Sequence, residues 1–172
     1  MKLVIALLIS VSVFTADQAS KYFVLEAFRV RDVFFIEVTP FLNFALGFNR
    51  GVNFGLFASE SAWQPYILAG VAVSVSAALL VWAARTSSMV IAVGCGAAIG
   101  GALGNALDRV LVGAVVDFLN FDCCGVNNPY AFNIADVGVF LGAVLIAWSA
   151  SGAPDDAAKA PERSRPPGDT GA

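Results

Sequence analysis

Residues 61–84, SAWQPYILAGVAVSVSAALLVWAA, contain no acidic or basic side chain over 24 positions, and neither do residues 86–107, TSSMVIAVGCGAAIGGALGNAL, over 22. A helix needs roughly 20 apolar residues to cross the hydrocarbon core of a bilayer. Each stretch is therefore a membrane span, and the short connection at 84–88, with Arg85 as its lone charge, joins them.

Two weaker candidates flank this pair. Residues 3–16 are too few alone and reach spanning length only if the helix continues past Asp17, Gln18 and Lys21 to about Phe23. Residues 137–148 are likewise short unless the helix begins near Tyr130 and takes Asp136 in with it. The expected spans are thus about 3–23, 63–84, 87–108 and 131–150, and both weak ones carry acids to the membrane edge. A signal peptide is the other reading of Lys2 and the run behind it. Against it, Phe14 stands third back from the candidate cleavage position after Ala16, where a small residue is required.

Composition agrees with a membrane solvent, since 58% of the 172 residues are hydrophobic and 13% charged, against roughly 45–50% and about 25% in soluble domains. Ten scattered basic residues and a net charge of −3 exclude a nucleic-acid surface. The chain has no His, and Cys95 is remote from Cys123 and Cys124, so no zinc site assembles in the usual way and no metal or cofactor is expected. Four spans put both termini on one side of the membrane. Basic residues divide evenly between the two sides; Lys2 and Arg85 favour a cytoplasmic location for the termini.

Residues 24–60 are too polar for lipid yet rich in Phe, and at 33–38 and 41–46 their apolar pattern is closer to period two than to 3.6. The fold class expected is an all-α polytopic membrane protein whose helices 1 and 2 are separated by a small β-containing extracytoplasmic subdomain. Its Phe side chains either dip into the interface or form the subdomain's own core. Gly96, Gly100 and Gly104, four apart, share a helix face that lets a neighbour approach closely. Residues 1–150 are read as one membrane-embedded domain, and 151–172, Pro-rich and without an aromatic residue, as a disordered cytoplasmic tail.

Carboxylates at a span are costly, about 2.5–3.5 kcal/mol at a helix centre on insertion scales, so Asp117 and Asp136 need a reason. Asp117 sits within Ala-Val-Val-Asp-Phe-Leu and Asp136 within Phe-Asn-Ile-Ala-Asp-Val-Gly, and spans 3 and 4 meet on the same side. Two neighbouring carboxyls share one proton and so offer a base and an acid together, which suits attack of water on a peptide carbonyl. The bland reading makes Asp136 a first-turn charge on a helix dipole. Further polar groups lie on that side, each with an ordinary alternative. Asp17 and Lys21 form an i,i+4 pair, Arg109 beside Asn105 and Asp108 can anchor a helix end, and Asn49 and Gly51 suit a turn. Asn133 joins them.

In chain order, Asp17-Gln18-Ala19-Ser20-Lys21, Asn49-Arg50-Gly51, the run from Gly100 to Arg109, Val115-Val116-Asp117-Phe118 and Phe132-Asn133-Ile134-Ala135-Asp136 resemble the motifs of the lipoprotein signal peptidase (signal peptidase II) family. The resemblance implies an aspartic endopeptidase of the bacterial inner membrane, with its active site near the periplasmic face. Its substrates are prolipoproteins, cut just before a cysteine that carries diacylglycerol, with membrane lipid around both. Asp117 and Asp136 fall on the catalytic pair. Asp17, Lys21, Asn49, Gly51, Asn105, Asp108, Arg109 and Asn133 fall on substrate-binding or supporting positions. Two segments depart from the family pattern, Val52-Asn53-Phe54-Gly55 and the 122–128 connection, where Cys123 and Cys124 either form a vicinal disulfide or stay reduced. The alternatives carried forward are a small proton-coupled transporter using the same carboxylates and a divalent-metal enzyme.

Overall fold

The computed structural model describes residues 1–27, 30–51, 61–122 and 128–151. The departures at 52–55 and 123–124, and the tail beyond Ser151, lie outside them. Among the described residues four helices are long and apolar enough to cross a membrane. They are α1 (Lys2–Tyr22), prolonged by a π-helical turn at Phe23–Ala27, then α3 (Gln64–Arg85), α4 (Met89–Val112) and α5 (Ile134–Ser151). A single-turn helix, α2 (Val30–Val33), precedes strands β1 (Phe35–Glu37) and β2 (Leu42–Asn49), and β3 (Val115–Phe121) follows α4.

The bundle is built around α4, the one span that is largely buried. Ser88 caps its start by accepting the Ile91 N–H, and Gly113, in the left-handed conformation at φ 79°, ends it. Its small residues serve two neighbours. Gly96 and Gly100 meet the α1 backbone at Ala6 and Ser10, whereas Gly94 and Gly101 meet α5 at Gly142 and Ala135. The four-residue glycine spacing therefore marks a packing face, as expected, and a second small-residue face lies beside it. A cluster of Ala6, Ala83, Cys95 and Ile99 fills the bundle core.

The subdomain differs from expectation in one respect. Its sheet has the antiparallel order β1-β2-β3, and the third strand comes from between helices α4 and α5 rather than from residues 24–60. Strand β3 is buried along nearly its whole length on both faces, so it shows no alternation that period-two reading would detect. The Phe residues divide between the two readings. Phe44 and Phe118 pack edge-to-face at 5.9 Å with Val24 and Val30 in the sheet's core, while Phe34, Phe35, Phe41 and Phe48 are exposed.

Register places β2 against β3 with an irregularity. Phe44 pairs with Leu119 but Gly47 pairs with Asp117, so two residues, Ala45 and Leu46, oppose the single Phe118. Such a bulge reverses which side chains of a strand share a face with its partner. It sets Gly47, which has no side chain, opposite Asp117, and brings Asn49 onto the same face.

Candidate active site

All ten singled-out residues gather at the end of the bundle where α1 and α4 finish and α5 begins. Asp117 is the third residue of β3. The segment after it returns alongside the strand, through Asn120 Nδ2 donating to the Asn128 and Tyr130 carbonyls (2.7 and 2.9 Å) and Phe132 bridging to Leu119. Phe132 also stacks on Phe121 at 5.8 Å. This return delivers the chain to the start of α5.

That start is a reciprocal cap. The Asp136 N–H donates to Asn133 Oδ1 at 2.8 Å, and the Asn133 N–H donates to Asp136 Oδ2 at 3.3 Å. The pattern Asn-x-x-Asp before an apolar run is a capping-box signature, and it starts the helix at Ile134 rather than near residue 131. Asp136 does therefore act as a first-turn acid, but its other oxygen, Oδ1, accepts from Asn105 Nδ2 at 2.8 Å.

Asn133 also reaches the second aspartate. Its Nδ2 lies 2.7 Å from Asp117 Oδ1, 3.1 Å from Asn105 Oδ1 and 3.2 Å from the Val116 carbonyl, and the residue is fully buried. One residue thus contacts both carboxyls, Asp117 through its side-chain amide and Asp136 through its backbone N–H. Burial and then the charge of Asp136 push the Asp117 carboxyl up to about 7, against the opposing hydrogen bonds of Asn49 and Asn133 and the charge of Lys21.

Both acids line a cavity of about 520 Å³ with Asn49, Tyr130, Phe140 and Leu141. A second cavity, about 720 Å³, runs over the sheet past Gly47 and shares Asn49 and Asp117 with the first. Phe140 and Leu141 are also exposed on α5, a spanning helix, so the first cavity is walled by a lipid-facing surface.

Arg109 clamps the turn beside this cavity. Its Nη2 donates to the Gly51 carbonyl at 2.8 Å and its Nη1 to the Asn105 carbonyl at 3.2 Å, while Asn49 Oδ1 accepts the Gly51 N–H at 3.0 Å. Arg109 Nε is buried with no hydrogen-bond partner among the described residues. Asp17, Lys21 and Asp108 are buried and line neither cavity. The expected Asp17–Lys21 pair is present at 2.7 Å, and Lys21 makes a second one to Asp108 at 2.7 Å. Sequence reasoning passed over Gln18, whose Nε2 donates to both Asp17 and Asp108 at 3.1 Å. Its place one residue after Asp17 was the available signal.

The family model of signal peptidase II matches residues 9–151. The chain belongs to the signal peptidase II family. It is 41% identical over 140 residues to a lipoprotein signal peptidase of Shewanella oneidensis, covering 80% of this chain and 81% of that one. With the lipoprotein signal peptidase of Rhodopseudomonas palustris it shares 40% identity over 162 residues, 91% of this chain and 97% of the relative. A solved bacterial membrane enzyme, determined by the in meso method at 2.3 Å resolution, superposes with a TM-score of 0.74 at 29% identity, covering 93% and 94% of the two chains. As a member of this family the chain is a multi-pass membrane protease. Nothing in these matches supports the transporter alternative.

Proposed function

We propose that the chain is an aspartic endopeptidase that removes the signal peptide from prolipoproteins whose cysteine carries diacylglycerol. The observation that carries this reading is that Asn133 links the two acids, its side-chain amide donating to Asp117 and its backbone N–H to Asp136, at a cavity that both acids line, within a chain of this family. Asp117, protonated, donates to the scissile carbonyl oxygen. Asp136, charged at the N-terminus of α5 and held by Asn105 and the Asn133 N–H, takes a proton from the attacking water. On collapse of the tetrahedral intermediate the amine leaves with a proton, and the pair again holds one proton between its two carboxyls. Asn49, Gly51, Asn105 and Arg109 shape the wall along which the extended peptide lies. The exposed apolar side of α5 at Phe140 and Leu141 suits an acyl-chain-bearing cysteine arriving from the bilayer.

The test is cleavage, by purified protein in detergent, of a prolipoprotein with and without its diacylglyceryl group. Cleavage before the modified cysteine, and not of the unmodified protein, is expected; equal cleavage of both sinks the lipid requirement. With Asp117 titrating near 7, rising pH strips the proton that the carbonyl needs. Activity expressed as kcat/KM should therefore fall on an alkaline limb near pH 7, and fall again at low pH once both acids are protonated. A profile flat from pH 5 to 9 contradicts the shared proton.

Arg109→Lys keeps the charge but replaces a planar fork, whose two Nη atoms reach the Gly51 and Asn105 carbonyls separately, by one compact ammonium that does not reproduce that spread geometry. Losing one charge-assisted hydrogen bond, about 1.5–3 kcal/mol, corresponds to a fall in cleavage of about tenfold or more. Undiminished cleavage returns Arg109 to the role of a helix-end anchor. We also infer residence in the bacterial inner membrane with cytoplasmic termini and a periplasmic active site. A reporter fused after Trp148 is expected to be active in the cytoplasm and one inserted near Asn127 outside it; activity of both on one side refutes the arrangement.

A further inference from the structure

Each aspartate at the cavity is preceded by a residue whose backbone N–H is taken by a buried carboxylate. Val116, before Asp117, donates to Asp108 Oδ2 at 3.1 Å. Ala135, before Asp136, donates to Asp17 Oδ1 at 2.9 Å. The two receiving carboxylates are themselves joined by one ammonium, because Lys21 Nζ is 2.7 Å from Asp17 Oδ2 and 2.7 Å from Asp108 Oδ2. Gln18 closes the ring, donating to both acids, and the third Lys21 donor points to Asn105 Oδ1 at 3.5 Å. Asp17 is fully buried, Lys21 is 4% exposed and Asp108 5%. These groups therefore do not reach a substrate in the cavity.

We propose that Asp17, Lys21 and Asp108 form a hidden brace that fixes the separation of Asp117 and Asp136, and so act as positioning residues for cleavage. The proposal rests on the reading of Asp117 and Asp136 as the catalytic pair. A buried ion cluster adds little to stability over apolar side chains of the same volume, but an apolar trio could not accept the two N–H groups. The Ala135 N–H is one of the donors that every helix start leaves unpaired, so accepting it from α1 pins the first turn of α5 to a neighbouring helix. The Val116 N–H does the same for β3 against α4. Lys21 makes one part of the two anchors, so the sheet that carries one acid and the helix that carries the other are held to a common reference. Gly104 completes the arrangement, since an added Cβ there would lie 2.7 Å from Asp17 Oδ2.

Asp17→Asn and Asp108→Asn, made separately in the full chain, test the brace. An amide offers one acceptor oxygen where the carboxylate offers two. In Asp17→Asn either Lys21 or the Ala135 N–H loses its partner. In Asp108→Asn either Gln18 is left without this acceptor or the oxygen shared by Lys21 and the Val116 N–H is lost, with the charge that holds Lys21 removed in both cases. Each change also takes the net charge of the cluster from −1 to zero, leaving no uncompensated buried charge. Steady-state cleavage of the diacylglyceryl-modified prolipoprotein is measured from pH 5 to 9 beside thermal unfolding in detergent. The expected result is kcat lowered about tenfold to a hundredfold with KM unchanged, the scale set by a misplacement of about 1 Å. The two apparent values of the bell-shaped profile should also draw together as the acids separate. A raised KM with intact kcat would place these residues in contact with substrate and overturn the proposal. Activity that falls only in step with the folded fraction, with the pH profile unmoved, overturns it too, reducing the cluster to a structural element. Retained cleavage in Asp117→Asn or Asp136→Asn fails differently, because it removes the catalytic pair whatever the brace variants do.

Discussion

Asp117→Asn is expected to lower cleavage by about 10³-fold or more, and Asp136→Asn by a similar factor, since general acid–base partners contribute on that scale and Asn can neither accept the water's proton nor supply one. The double variant should be little worse than either single one, because groups that act as a unit do not give additive losses. Unfolding is not the cause in the Asp117 variant. The folded chain keeps a proton on Asp117 up to about pH 7, whereas an unfolded Asp releases it near 3.9. The folded state thus binds more protons between those values, and stability falls as pH rises through that window. Asn does not titrate, so Asp117→Asn should remove this fall and melt no lower than the parent at pH 8. Substrate binding should persist in both variants, and chelators should have no effect on the parent. A correctly inserted single variant that still cleaves at near-normal rate would end the two-aspartate mechanism for this chain.

Gly101→Ala is expected to be almost as damaging although it adds one methyl group far from any substrate. A Cβ at Gly101 would run into the Ala135 carbonyl and stand 2.9 Å from Val139 Cγ2. A carbonyl in the first turn of α5 cannot swing aside as a side chain can, so the whole helix start must shift and Asp136, the next residue, shifts with it. Overpacking of this kind costs about 1–3 kcal/mol, and displacement of one acid costs a further factor of about a hundred in cleavage. Gly70 on α3 is the control, because nothing lies within 4 Å of an added Cβ there. Gly70→Ala should melt slightly higher than the parent, in line with helix propensity, and cleave normally. Equal melting and equal cleavage for the two variants would show that α4 and α5 are less closely apposed than described.

The spans were legible because a stretch with no charge over 20 positions has one solvent available to it, and the residues of the acid cluster were legible because each polar group at a membrane edge demands a reason. Boundaries were less so. The start of α5 is set by the Asn133–Asp136 cap, a pattern present in the sequence but masked by the apolar residues before it that seemed to belong to the span. Strand β3 gave no signal of its own, since a strand covered on both sides reads as continuous apolar chain, here interrupted by Asp117 and Asn120. The bulge at Ala45 and Leu46 was illegible for a different reason: a register shift is a property of two strands, and nothing in either one alone records it. For the same reason Asp17 and Lys21 were read as a simple i,i+4 pair, although Asp108, far along the chain, is an equal partner of the lysine.

The bond from the Ala135 N–H to Asp17 joins the first membrane helix to the last across 118 positions. At a synthesis rate of about 5–20 residues per second, roughly 6–24 s separate the emergence of its two ends from the ribosome. Until the last helix arrives, Asp17 and Lys21 have only each other and, once α4 has emerged, Asp108 to hold. A nascent or truncated copy lacking α5 therefore has half of its acid pair and no fixed start for the other half. With Asp117 and Asp136 as the proposed catalytic pair, proteolytic competence is expected only once the last helix is in place.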